Sequence, residues 1–148
     1  MGDSLKKILL VEDSANDAEL TLTALRAENL ANDVIWLKDG QEALDFLFCR
    51  DAYAGREKIN PVVILLDIKM PRVDGFEVLE KIKADALLRT IPVVVLTSSR
   101  EDSDLVRSYC AGVNAFVVKP VDFKEFMHAV ASLGSFWALL NEVPPITI

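Results

Sequence analysis

Five short apolar runs, set apart by segments of helical periodicity, leave few architectures open to this chain. Lys7–Val11, Val34–Lys38, Val62–Leu66, Pro92–Leu96 and Ala115–Val118 are rich in Val, Ile and Leu, and several are almost continuously apolar. A strand with one face in water alternates apolar and polar residues, so an unbroken apolar run signals a strand buried on both faces. Between the runs, Ala18, Leu22 and Leu25 share one helical face, as do Val106, Cys110 and Val113, and then Phe123, Phe126, Met127 and Val130. Strands of this kind pair in parallel, because parallel neighbours need crossover connections and the helices supply them. The pattern predicts an α/β fold, a doubly wound five-stranded parallel sheet with five helices spread over both faces.

Two stretches break the rhythm. Arg50–Asn60 is polar, contains Gly55 and reads as a long surface loop, either a partner contact or a tolerated insertion. Near the end, Leu133, Phe136, Trp137 and Leu140 share a helical face before Pro144 and Pro145 stop the helix. The compact domain is expected over residues 1–133, with 134–148 an aromatic extension of it. Phe136 and Trp137 need cover, either from the domain's own flank or from a second subunit in a homodimer.

Composition narrows the function. A chain of 148 residues has room for one such domain, and its formal net charge of −7 with no basic block argues against nucleic acid as a partner. No secretory signal and no run approaching a membrane span is present, so a soluble, cytoplasmic protein is expected. Cys49 and Cys110 are too few and too far apart for a zinc knuckle or a redox pair, and both read as small hydrophobes. His128 is the sole histidine, which removes His-rich metal sites and most Ser-His or Cys-His catalysis.

The chemistry gathers where the strands end. In open parallel sheets ligands bind at the carboxyl edge. To that edge the first strand brings Glu12 and Asp13, the third Asp67, the fourth Thr97 and Ser98, and the fifth Lys119. Taken singly, Glu-Asp reads as a helix start, Thr-Ser as loop chemistry and Lys-Pro as a turn. Together they form one set at one rim. Three carboxylates in a small space repel one another unless a cation joins them, and oxygen-only donors suit Mg²⁺ better than Zn²⁺. A metal, a lysine and a hydroxyl around a carboxylate are the parts needed to transfer a phosphoryl group onto that carboxylate, with Asp67 as the nucleophile.

Taken with their order and spacing, LLVEDS, LLDIKMPRVDG, VVLTSS and AFVVKP resemble the response-regulator receiver domains of bacterial two-component signalling, over roughly Lys6 to Leu133. The long loop before the third strand and the FWALLNEVPP segment further resemble the stand-alone regulators that partner phytochrome-type sensor kinases. The resemblance implies a flavodoxin-like strand order 2-1-3-4-5, with Asp67 as phosphoacceptor. It implies Glu12 and Asp13 as the acid pair, and Asp13, Asp67 and the Lys69 backbone carbonyl as Mg²⁺ ligands. Thr97 and Lys119 would hold phosphoryl oxygens, Phe116 would be the switch aromatic, and Lys119–Pro120 would be a cis peptide. Asp74-Gly75 fits the turn after the phosphorylated loop, where glycine permits a positive φ. Lys69 and Ser99 flank the path of the hydrolytic water and would tune the phosphate lifetime, and Ser98 is suitably small.

On this reading the partners are a sensor histidine kinase and a downstream protein target, and the readout is a changed protein–protein contact. The chain would not be an enzyme beyond its own phosphorylation and dephosphorylation. Rival readings are a phosphate-independent pseudo-receiver and a Mg²⁺-dependent phosphohydrolase. The first would lack the nucleophile or the lysine, and the second would need a cap.

Overall fold

The structure, a computed structural model, describes residues 7–27, 34–57, 60–70, 72–97, 107, 112–113 and 115–118. Five strands form its sheet: β1 Ile8–Val11, β2 Val34–Leu37, β3 Val63–Leu66, β4 Val93–Thr97 and β5 Ala115–Val118. Each lies within one residue of the apolar run that predicted it. All neighbours pair in parallel, in the order β2-β1-β3-β4-β5. The doubly wound sheet is therefore as expected. Three α-helices are described, α1 Ala15–Ala27, α2 Gly40–Leu47 and α3 Gly75–Ala84, with a short 3-10 turn at Asp51–Tyr53 inside the polar loop. Two further helices expected around residues 106–113 and 123–130 lie outside the described residues apart from Arg107, Gly112 and Val113. So does the division between 1–133 and 134–148. Among the described residues no helix is long and apolar enough to cross a membrane.

The unbroken apolar runs have a simple cause in packing. Successive side chains of a strand point to opposite faces, and here each face has its own core. Leu9, Val11, Ile64, Leu66, Val93 and Val95 join residues of α2 and α3 in one cluster. Ile8, Leu10, Val63, Leu65, Val94 and Leu96 join Ala18 and Leu25 of α1 in the other. β3 sits third of five, and all four of its residues are fully buried. On α1 the expected apolar stripe is interrupted: Ala18 and Leu25 are buried, Leu22 is only partly so, and Thr21 is fully buried beside them.

Helix starts are fixed by short polar side chains. Asp39 caps α2 by accepting from the Glu42 N–H at 2.8 Å, and Asp74 caps α3 by accepting from the Glu77 N–H at 3.0 Å. Gly40 follows the first cap because the Val73 carbonyl oxygen lies 2.1 Å from where a β-carbon would stand. The start of α2 and the loop after β3 are thus in backbone contact.

If β3 holds both cores at once, truncating it opens a cavity without access to water. Leu65→Ala should lower the unfolding free energy by roughly 2–5 kcal/mol in urea titrations. A loss below about 1 kcal/mol, within reach of many surface substitutions, would contradict this packing.

Candidate functional site

β1 and β3 end side by side. Val11 pairs with Leu66, and the next residue of β3's chain, Asp67, donates its N–H to the Val11 carbonyl at 3.1 Å. The Glu12 N–H in turn donates to the Leu37 carbonyl at 3.0 Å. The ladder bonds continue one residue past the strands, so the backbones of Glu12 and Asp67 are as firmly set as the sheet itself. Carboxylate oxygens of Glu12, Asp13 and Asp67 all lie within 4.8 Å of one another. Glu12 is 2% exposed and Asp67 7%, while Asp13 faces solvent. The buried pair forms the floor of the cluster and Asp13 its outer wall.

Local bonds orient these acids. The Glu12 carboxylate accepts from the Ser14 N–H at 3.2 Å, and the Asp67 carboxylate accepts from the Lys69 N–H at 3.0 Å. Ser14 caps α1, its hydroxyl accepting from the Asp17 N–H at 3.2 Å. That bond settles the alternative role for Glu-Asp as a helix start: the serine caps, and the two acids do not. Trp36 of β2 donates its indole N–H to the Glu12 carbonyl at 2.8 Å, a contact no motif in the sequence signals.

The loop from Asp67 to Gly75 is held at both ends. Gly75 donates its N–H to the Ile68 carbonyl at 3.2 Å, and a β-carbon on it would stand 2.5 Å from both the Asp67 carbonyl oxygen and the Ile68 Cα. This corrects the expectation that Gly75 serves a positive φ. Among the described glycines only Gly112 has one, and in this loop the left-handed residue is Arg72, at φ 63°. Gly75 is required because the backbone of α3 rests against the aspartate's own peptide. Arg72 reaches back to pair with the Asp39 carboxylate, which also caps α2. Ile68 and Met70 turn inward to the core, and the Lys69 side chain turns outward to solvent.

The other predicted positions are described less fully. Thr97 closes β4 and pairs with Val118, two residues beyond the Val95 that pairs with Leu66. Its backbone therefore reaches the same edge as Asp67. Phe116 lies in β5 opposite Val95. Ser98, Ser99, Lys119, Pro120, Phe136 and Trp137 lie outside the described residues, and with them the expected cis peptide and dimer contacts. Cys110 and His128 do too; Cys49 is a partly buried thiol.

Three carboxylates that close, two of them buried, present hard oxygen donors and like charge, a combination compatible with a divalent cation of the Mg²⁺ kind. A parallel 2-1-3-4-5 sheet with an acid trio at the carboxyl edge of β1 and β3 is the architecture of a signalling receiver. The response regulator receiver domain model matches residues 8–131, and the chain belongs to that family, the receivers of two-component signalling. Response regulator Rcp1 of Synechocystis sp. is 39% identical over 132 residues, covering 89% of this chain and 88% of Rcp1. The crystal structure of its Mn²⁺-bound form superposes with a TM-score of 0.86 at 38% identity, over 95% of this chain and 99% of that one. The phosphorylated cyanobacterial phytochrome response regulator RcpA gives the same TM-score at 36% identity, with the same two coverages. The bacteriophytochrome response regulator AtBRR is 59% identical over 93% of this chain and 98% of its own, with a TM-score of 0.74.

The contact at Gly75 gives a direct test. In an open position Gly→Ala stabilises by about 0.4–1 kcal/mol. Here Gly75→Ala should destabilise by about 1–3 kcal/mol, the cost of overpacking, and weaken divalent-ion binding by displacing Asp67. Urea unfolding and a Mn²⁺ titration check both, and a stabilised protein with unchanged binding would refute the close approach.

Proposed function

We propose that this chain accepts a phosphoryl group on Asp67 from a histidine kinase in a Mg²⁺-dependent reaction, and signals through changed contacts with a protein target. The observation that carries the reading is the convergence of Glu12, Asp13 and Asp67, with Asp67 at the tip of the fully buried β3. Burial of β3 sets where the nucleophile stands, and the Lys69 N–H sets how its carboxylate is turned. Glu12, Asp13, Asp67 and the Lys69 carbonyl would hold Mg²⁺, which when bound neutralises phosphoryl oxygens.

An Asp67 carboxylate oxygen attacks phosphorus in line with the bond to the kinase's imidazole nitrogen. An oxygen–phosphorus bond forms as the phosphorus–nitrogen bond breaks, and the imidazole leaves with the bonding pair. The product is an acyl phosphate that adds roughly −1.5 to −2 of charge at that position. Thr97, at the carboxyl end of β4, and Lys119, next after β5, hold its oxygens and bias a two-state surface that includes β5, while Phe116 turns inward. Lys69 and Ser99 set how long the phosphate lasts. The relation to RcpA, a phytochrome response regulator, and to AtBRR, a bacteriophytochrome response regulator, favours a phytochrome-type kinase as the donor, with the exchange taking place in the cytoplasm. Phe136 and Trp137 are the residues that would meet a second copy of the chain, unless the domain's own flank covers them.

Incubation with Mg²⁺ and acetyl phosphate, followed by intact mass measurement, tests the reaction without the kinase. The wild-type chain should gain the mass of one phosphoryl group, and Asp67→Asn should gain none. No labelling of the wild type would favour a phosphate-independent role for the fold, and equal labelling of Asp67→Asn would remove Asp67 as the acceptor.

A further inference from the structure

The peptide that joins two members of the acid cluster, Glu12 and Asp13, is held from the side by β2. Both backbone groups of Glu12 are bonded to β2: its N–H donates to the Leu37 carbonyl at 3.0 Å, and its carbonyl accepts the Trp36 indole N–H at 2.8 Å. The second bond matters more for chemistry. The Glu12 carbonyl belongs to the peptide plane that joins Glu12 to Asp13, so fixing its direction fixes the plane from which Asp13 projects. Asp13 is the exposed member of the trio, with neither the burial of Glu12 nor the strand pairing of Asp67 to place it. Trp36 itself is braced. Its ring packs against the apolar cluster beneath α1, alongside Leu22, and the Lys38 ammonium sits 5.6 Å from the ring centre.

We propose that Trp36 is a positioning residue for the metal site, holding the Glu12–Asp13 peptide so that Asp13 meets a divalent cation together with Asp67. This rests on the reading that the trio binds such a cation. It adds a residue on a neighbouring strand, outside every motif at the rim. The indole N–H lies one peptide away from a metal-binding carboxylate, so its emission reports on occupancy of the site.

Mn²⁺ affinity, measured from the electron paramagnetic resonance signal of the free ion, separates the possibilities in three proteins. Trp36→Phe keeps an aromatic ring against the cluster but removes the donor. Leu22→Ala loosens the same apolar packing without touching the Glu12 carbonyl. Trp36→Phe should weaken Mn²⁺ binding roughly three- to tenfold, the scale of one net hydrogen bond, while Leu22→Ala lowers the melting temperature and leaves Mn²⁺ affinity unchanged. In a Trp137→Phe background, where Trp36 is the sole tryptophan, Mn²⁺ should change the emission with the same midpoint as the resonance titration. Unchanged affinity in Trp36→Phe, or equal weakening in both variants, would overturn the role of Trp36 and leave the metal reading standing. A wild-type protein that binds no Mn²⁺ would overturn the metal reading and this proposal with it.

Discussion

Mutual repulsion among three carboxylates, imposed by the pairing of β1 with β3, is the constraint on which the rest of this structure turns. Two like charges about 4 Å apart at an effective dielectric near 20 repel by about 4 kcal/mol. No flexible arrangement would tolerate that contact when rotation could relieve it. Here relief is limited for the buried pair, because the ladder sets the backbones of Glu12 and Asp67 and the Ser14 and Lys69 N–H groups hold their carboxylates. The unfavourable charge is held by the favourable burial of β3, which fills both cores. Such a cluster is compatible with a divalent cation, and the phosphoryl acceptance proposed for Asp67 rests on that compatibility.

The loop after Asp67 extends the same logic. Gly75 lets α3 begin against the aspartate's peptide, Gly40 lets the Val73 carbonyl approach the start of α2, and the Arg72–Asp39 pair ties the loop to that helix. Asp39 serves both ends of this connection, one oxygen capping α2 and the other meeting Arg72. As an exposed ion pair it adds little stability alone. Its value lies in where it holds the chain: Arg72, like Cys49 and Asp51, adopts a left-handed backbone that is uncommon outside glycine, and the pairing supplies a reason for the loop to keep that turn.

The strands and their order were legible in the sequence because a parallel sheet buried on both faces leaves an unmistakable mark, the unbroken apolar run. The acid trio was legible because strand ends share an edge, so Glu12, Asp13 and Asp67 could be brought together before any coordinates. What escaped were contacts made across the chain. Gly75 looked like a residue chosen for its φ, and only tertiary packing reveals a backbone at 2.5 Å. Thr21 breaks the apolar stripe of α1 from a fully buried position, which periodicity alone treats as polar and outward. Trp36 sits in a strand whose apolar character explains it fully, and its bond to Glu12 spans 24 residues of sequence. Local signals cannot carry that information. The roles proposed for Thr97 and Lys119 rest on motif spacing, and the backbones of β4 and β5 carry the chain toward the same edge as Asp67.

The claim at the centre is that the fold holds the trio together against its own charge. The most direct measurement is the melting temperature of the wild type and of Asp13→Asn, each with and without Mg²⁺. Removing one charge should raise the melting temperature of the metal-free protein, and the stabilisation that Mg²⁺ gives the wild type by binding the native state should be largely lost in the variant. A metal-free variant less stable than the wild type, together with an equal Mg²⁺ response in both proteins, would contradict the account.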